Sequence, residues 1–330
     1  MASATLDVVG IGNAIVDILA HTDDGFLLRE GLQKGSMTLI DAERSNALYE
    51  KIGPAVECSG GSAANTLAGI AALGGRAGYI GKVADDEFGR LFRHDIRAAG
   101  VAFETPAALD GAPTARSLVL VTPDAQRTMN TYLGISVELG PEDVEPGVIA
   151  EASITYLEGY LWDLPRAKEA FRQALAIAHR NGRRVALTLS DAFCVERSRE
   201  EFLDLVERHV DILFANEAEI ASLYQVTGFD EALQKVRGHC EIAALTRSEK
   251  GAVIVGNDEI HIVDAANIGP VVDTTGAGDL FASGFLYGLS HGFDLARSGR
   301  LGALAAAEVI GHLGARPEVP LAPFIEQSAL

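Results

Sequence analysis

The chain has 330 residues, 27 of them Lys or Arg and 46 Asp or Glu, so its formal charge is −19 and its pI lies near 4.8; so acidic a protein is not expected to bind along a nucleic-acid backbone. With 48% hydrophobic and 22% charged residues, the mixture excludes disorder as the main state, and roughly 100 to 200 residues per domain allows one large domain or two. A low aromatic share of 6% beside 35 glycines suits many tight turns between strands and helices, and favours an α/β enzyme.

The opening MASATLDVVGIG has no Lys or Arg ahead of its apolar residues and includes Asp7, so no secretory leader is expected. Residues 6–12 form a short β-branched run ending in glycine, and similar runs recur at 117–122, 154–157, 185–189, 212–214 and 242–246. Between the later runs, residues 164–181, 200–209 and 217–224 carry helical patterns. That alternation predicts βαβ units around a mostly parallel sheet in three layers. Residues 13–40 and 101–135 break the rhythm with short apolar runs and polar turns, and are read as a small β lid. The rest, 1–12, 41–100 and 136–330, is assigned to the core, and without a Pro- or Ser-rich linker the lid is expected as an insertion. Cys58, Cys194 and Cys240 are odd in number and far apart, which implies neither a disulfide framework nor a thiolate metal site and fits a reducing cytoplasm.

Toward the C-terminus, residues 252–255 and 260–263 flank an Asn257-Asp258 turn and predict an antiparallel hairpin at one sheet edge. Two long helices should follow. The second, LGALAAAEVIGHLGA at 301–315, carries Glu308 and His312 and is too short for a hydrocarbon core of about 30 Å, so it reads as a buried helix and no membrane span is expected.

The strongest chemical signal is Asp273-Thr274-Thr275-Gly276-Ala277-Gly278-Asp279, placed ahead of the apolar helix at 280–289. Gly276, Ala277 and Gly278 leave backbone amides unobstructed at a helix N-terminus, which is an anion site able to hold a phosphoryl group. Asp279 in the first turn can take a proton from an attacking hydroxyl while the amides neutralise phosphoryl oxygens; a glycine turn with Asp279 merely favouring the helix dipole would look the same locally. Gly60-Gly61 can bring backbone close to a substrate ring, with Asn65 one turn on offering a donor and an acceptor, or the pair can serve helix packing with Asn65 as a cap. Asp17 in AIVDILA needs a partner if buried, which two neighbouring hydroxyls would supply, and needs none if it faces solvent; Asn13 shares the ambiguity. Asn216 and Glu219 have capping-box spacing at a helix start.

These motifs together resemble the ribokinase-like (PfkB-type) kinases, over nearly the whole chain from GIGNAIVDI to GALAAAEVIGHLGA. DTTGAGD is similar to that family's C-terminal signature, and GGSAAN to its N-terminal glycine pair. SGGSAANT and TPDAQRTMNTYLG look closer to adenosine kinases than to ribokinases or fructokinases. The resemblance implies a Rossmann-like core with a β lid, ATP as donor, Asp279 as base and Asp17 on vicinal ribose hydroxyls. It also implies that Asn216 and Glu219 organise Mg2+ and ATP phosphates, Glu219 through water, and that Thr246, Arg247 and Gly251 touch those phosphates. Arg127 is a candidate to close over the transferred group, though an exposed arginine is often only solvated. Tyr160 matches a position where adenosine kinases place an aromatic on the base, and Met37 and Met129 can form apolar walls, whereas each can equally be packing. A monovalent cation such as K+ near Asp273 and Thr275 is implied by the resemblance alone.

The expected activity is transfer of phosphate from ATP to the 5′-hydroxyl of adenosine, giving AMP. Two alternatives stay open: a kinase of ribose, fructose or a keto-deoxy sugar acid, and a catalytically silent nucleotide-binding regulatory protein. The expected partners are small molecules, with the chain a monomer or homodimer.

Overall fold

The computed structural model describes residues 4–124, 126–256 and 259–329. Among them, nine strands form one sheet in the order Ile260–Val263, Ala252–Val255, Ile242–Thr246, Ile212–Asn216, Arg184–Thr188, Ala152–Glu158, Leu6–Ile11, Ala77–Ile80, Val101–Phe103. All neighbours run parallel except where Ala252–Val255 pairs antiparallel with the strands on either side. The hairpin expected at the sheet edge is therefore present, while its Asn257-Asp258 turn lies outside the described residues.

The apolar runs are continuous because helices cover both faces. Along the central strands, Val8, Ile154, Ala186, Ile212 and Ala244 join one buried cluster with the helices Ser62–Ala72, Ala277–Ser290 and Leu295–Val309. Their neighbours Val9, Leu157, Leu187, Leu213 and Ala243 join a second with Pro165–Arg180, Arg199–Arg208 and Glu217–Tyr224. This alternation of strand side chains between two clusters makes the three layers. Strand order reverses between Leu6–Ile11 and Ala152–Glu158, leaving a crevice at their carboxyl ends, where open α/β sheets bind ligands.

A second, five-stranded sheet has the order Met37–Leu39, Arg127–Tyr132, Ala115–Val121, Ile15–His21, Ala55–Gly60. It differs in two places from the segments read as lid. Ala55–Gly60 comes from the stretch assigned to the core and pairs with Ile15–His21, whereas Val101–Phe103 leaves the lid segment to extend the large sheet beside Ala77–Ile80. Both exchanges follow from strand pairing across the chain, which local pattern does not carry.

The register puts Asp17, Cys58, Ser117, Thr131 and Leu39 in one row and Leu19, Val56, Val119, Met129 and Met37 in the next, all on one face. Arg127, opposite Val121, lies two residues further along that face. Ile18, Ala20 and Leu120 point the other way, packing among buried residues that include Leu27 of the helix Asp24–Arg29 and Leu48 of the helix Ala42–Tyr49.

The apolar stretch at 301–315 is not one helix to its end: Leu295–Val309 is capped at Ile310, and Gly314 stands at φ 105°. Glycine permits that left-handed turn, and Ala315 and Arg316 are thereby redirected toward the crevice. Among the described residues no helix is long and apolar enough to cross a membrane.

Candidate active site

Asn13 follows the strand Leu6–Ile11, and Glu158 ends the strand beside it, on the two sides of the crevice. Glu158 is 1% exposed and accepts from Asn13 Nδ2 at 2.9 Å, Asn13 N at 3.3 Å and Ala63 N at 2.9 Å. Burial pushes it up to about 7 despite these donors. Asn13 Oδ1 in turn accepts from Ser136 Oγ at 3.0 Å.

Gly61, at φ 96°, turns the chain from the small sheet into the helix Ser62–Ala72. A Cβ there would lie 2.3 Å from Asn13 O, so no other residue fits unstrained. Gly60 lies against Asp17, where a Cβ would come 2.1 Å from Oδ2. The cap at Gly61 receives no side-chain bond, and Asn65 points instead to the far side of the cleft.

That far side is the start of the helix Ala277–Ser290. Its N-cap Gly276 stands at φ 78° against Ala315, and the amides of the first turn lack intrahelical acceptors, as at any helix start. Gly278 faces open space, with nothing within 4 Å of a Cβ placed on it. Leu280 and Phe285, fully buried, anchor the helix, each worth roughly 1.5 to 3 kcal/mol, and this fixes Asp279 in the first turn. Asp279 accepts from Ser62 Oγ at 2.6 Å and Asn65 Nδ2 at 3.0 Å. Burial raises its pKa, while those two bonds and the Arg316 charge oppose the rise. For Asp17, burial outweighs the nearby Arg316 and Arg127, giving about 6.

Asp273 accepts from Thr275 N at 3.1 Å and Gly314 N at 3.1 Å, and pairs with Arg127 of the small sheet. The pair is buried, and Arg127 Nε has no hydrogen-bond partner among the described residues. With its backbone donors and Arg127 in place, Asp273 is already neutralised. Its side chain does not fit a K+ site in this arrangement, and no step is derived through that ion.

Asn216 and Glu219 form a full capping box: Asn216 Oδ1 accepts from Glu219 N at 2.9 Å and Glu219 Oε2 accepts from Asn216 N at 3.0 Å. Glu219 Oε1 also accepts from Asn216 Nδ2 at 2.6 Å, and burial lifts the acid to about 7. Both carboxylate oxygens are engaged. Among the described residues no group of three His, Cys, Asp or Glu could hold a metal. This donor set fits a Mg2+ that keeps its waters and binds mainly to phosphates, not one caged by protein. Thr246 ends its strand beside Asn216. Arg247 donates to Glu217 at 2.8 Å and lies over the Phe229 ring, and Gly251 closes the turn.

Tyr160 packs partly buried against the second core cluster, and burial raises its hydroxyl. Met37 and Met129 are cross-strand partners on the small-sheet face that carries Asp17, Met37 being 45% exposed.

Ser62, Glu158 and Arg316 are the contacts that motif reading does not single out. Ser62 stands inside GGSAAN, and Glu158 is signalled only by a charge ending the apolar run ITYL. Arg316 carries no local signal, because it reaches Asn65 across 251 residues.

The description "pfkB family carbohydrate kinase" matches residues 37–322. Two solved structures cover almost the whole chain. A probable sugar kinase from Rhizobium etli CFN 42 is 54% identical, with TM-score 0.93 over 99% of both chains. An adenosine kinase from Sinorhizobium meliloti is 56% identical, with TM-score 0.91 over 98% of this chain and 100% of that one. An ATP-dependent ribose-1-phosphate kinase from Halopiger xanaduensis is 30% identical over 79% of this chain and 83% of its own length.

Proposed function

The chain belongs to the pfkB family of carbohydrate kinases, which phosphorylate hydroxyl groups of sugars and nucleosides with ATP, and from that membership we propose that its acceptor is adenosine, converted at the 5′-hydroxyl to AMP. Asp279 takes the proton of that hydroxyl as its oxygen forms the bond to the γ-phosphorus and the bond to the β-phosphate oxygen breaks, releasing ADP. The first-turn amide of Gly278 holds the phosphoryl oxygens, joined by that of Ala277 when it gives up its 3.3 Å bond to Thr274 O. Arg127, its charge paired with Asp273, keeps an unsatisfied Nε that can donate to a phosphoryl oxygen from the small sheet, which acts as the lid. Mg2+, when bound through water near Asn216 and Glu219, neutralises charge on the ATP phosphates; Thr246, Arg247 and Gly251 border the same end.

Asp17 accepts from the vicinal ribose hydroxyls, and Asn13, Asn65 and the Gly60-Gly61 backbone border the ring. The observation that favours a nucleoside over a bare sugar is the apolar row Leu19, Val119, Met129 and Met37 beside Asp17 on one face. Two residues along a strand span about 7 Å, roughly the offset of a base from its ribose. A sugar phosphate would place an anion against that apolar row, at a desolvation cost. Tyr160 supplies an aromatic wall. The 56% identity to an adenosine kinase supports the same acceptor.

The test is ADP release by purified protein with adenosine, ribose, ribose 1-phosphate, fructose and a keto-deoxy sugar acid. Adenosine is expected to give the highest kcat/KM. Higher kcat/KM with any sugar overturns the acceptor assignment, and nucleotide binding without turnover on any acceptor would instead mark a silent binding protein.

A further inference from the structure

Arg316 enters the acceptor end of the cleft from the loop beyond the helix Leu295–Val309. Its Nε donates to Asn65 Oδ1 at 2.9 Å and its Nη2 to Ser59 Oγ at 3.0 Å. Asn65 then donates through Nδ2 to Asp279 Oδ2 at 3.0 Å. An amide has an accepting and a donating arm and can turn over, whereas a guanidinium only donates. Turned over, Asn65 would set its NH2 against the guanidinium and its carbonyl against the carboxylate, two repulsions at once. Arg316 thus decides which arm of Asn65 meets Asp279.

We propose that Arg316 is a positioning residue for phosphoryl transfer: it locks Asn65 in the orientation that holds Asp279, and its guanidinium is the counter-charge shared by Asp279 and Asp17. The inference rests on Asp279 being the base for the acceptor hydroxyl. The groups around Arg316 come from five elements: Asp17, Cys58, Asp95, Tyr79 and Asp279. The charge of Asp279 in turn raises Glu158, Asp17 and the hydroxyls of Tyr156 and Tyr160. Three carboxyl groups therefore share one pocket, and like charges oppose joint ionisation. Arg316 is the largest influence lowering Asp17 and also lowers Asp279.

The experiment is a pH profile of kcat/KM for adenosine, with kcat and both KM values, for Arg316→Gln, Arg316→Lys and Asp279→Asn in the full chain. Without the positive charge the carboxylates protonate more readily, so Arg316→Gln is expected to move the acid limb upward by about one pH unit. It should also lower kcat roughly tenfold or more through misplacement of the base, with KM for ATP within about twofold. Arg316→Lys keeps the charge but not the planar fork, so its limb should stay at the wild-type position while kcat remains reduced. An unmoved limb in folded Arg316→Gln, or the same displaced limb in Arg316→Lys, overturns the proposal. If the glutamine variant does not fold, Arg316→Lys decides through coupling: its loss in kcat should vanish in an Asn65→Ala background, and an equal loss there refutes the relay. Asp279→Asn separates the two ideas. Unchanged turnover in that variant rejects the base itself, whereas abolished turnover beside a wild-type profile for Arg316→Gln rejects only the role of Arg316.

Discussion

Replacing Glu158 by glutamine tests the electrostatics of the crevice without touching the reacting carboxylate. The wild-type acid sits at about 7 in the fold against an ordinary 4.5, chiefly because it is buried. At 1.36 kcal/mol per pH unit that gap is worth about 3 kcal/mol. The folded state binds more protons than the unfolded state between the two values, so this side chain costs stability as pH rises through the window. The penalty is absent well below 4.5 and complete above about 7. Between about pH 5 and about pH 8 the change should be between about 2 and 3 kcal/mol. Glutamine cannot ionise. It offers one accepting oxygen to three N–H donors, Asn13 N, Asn13 Nδ2 and Ala63 N, and an unmet donor costs about 1 to 3 kcal/mol at any pH. Denaturant unfolding of both proteins at the two pH values removes that constant, along with the contributions of Glu219 and Asp17. The variant should gain about 2 kcal/mol relative to wild type on going from the lower to the higher pH. A difference below about 0.5 kcal/mol, or one of opposite sign, would refute the assignment of a buried, destabilised carboxylate.

Asp279→Asn should lower kcat by about 100-fold or more while ATP binding, measured by calorimetry, persists; full activity would rule out the base. Because the folded pKa of Asp279 is raised by burial, wild-type turnover should fall as pH drops through that raised value, and a flat profile across the acid range would count against it. Gly61→Ala must accept φ 96° and a Cβ 2.3 Å from Asn13 O, so unfolding free energy should drop by roughly 2 kcal/mol or more, with acceptor KM rising more than ATP KM. Asn216→Ala loses the cap to Glu219 N and should cost about 1 kcal/mol together with a higher ATP KM; unchanged values in both measurements would remove the residue from either role.

Much of the core is written in local pattern. The helices expected at 164–181 and 217–224 appear as Pro165–Arg180 and Glu217–Tyr224, because apolar spacing, the proline that opens the first and the Asn216 cap that opens the second are short-range properties. The Asn216 and Glu219 spacing likewise foretells the capping box that forms. What local pattern could not carry is where a continuous apolar run stops being a helix. The stretch at 301–315 contains no proline before residue 317 and offers two glycines, Gly311 and Gly314, as places to stop; it ends at Val309, where the Asp273 loop docks through Gly314 N and Ile310 O.

By itself, then, the order of residues determined the α/β alternation, the glycine-opened helix start before Asp279 and the family to which the chain belongs, since each depends on groups within a turn or two of one another. Tertiary structure alone decided which strand completes the small sheet, that Glu158 cradles Asn13 and Ala63, and that Arg316 reaches Asn65. Those contacts join positions 145, 95 and 251 residues apart, and a buried polar group takes its partner from whatever the folded chain brings within about 3 Å.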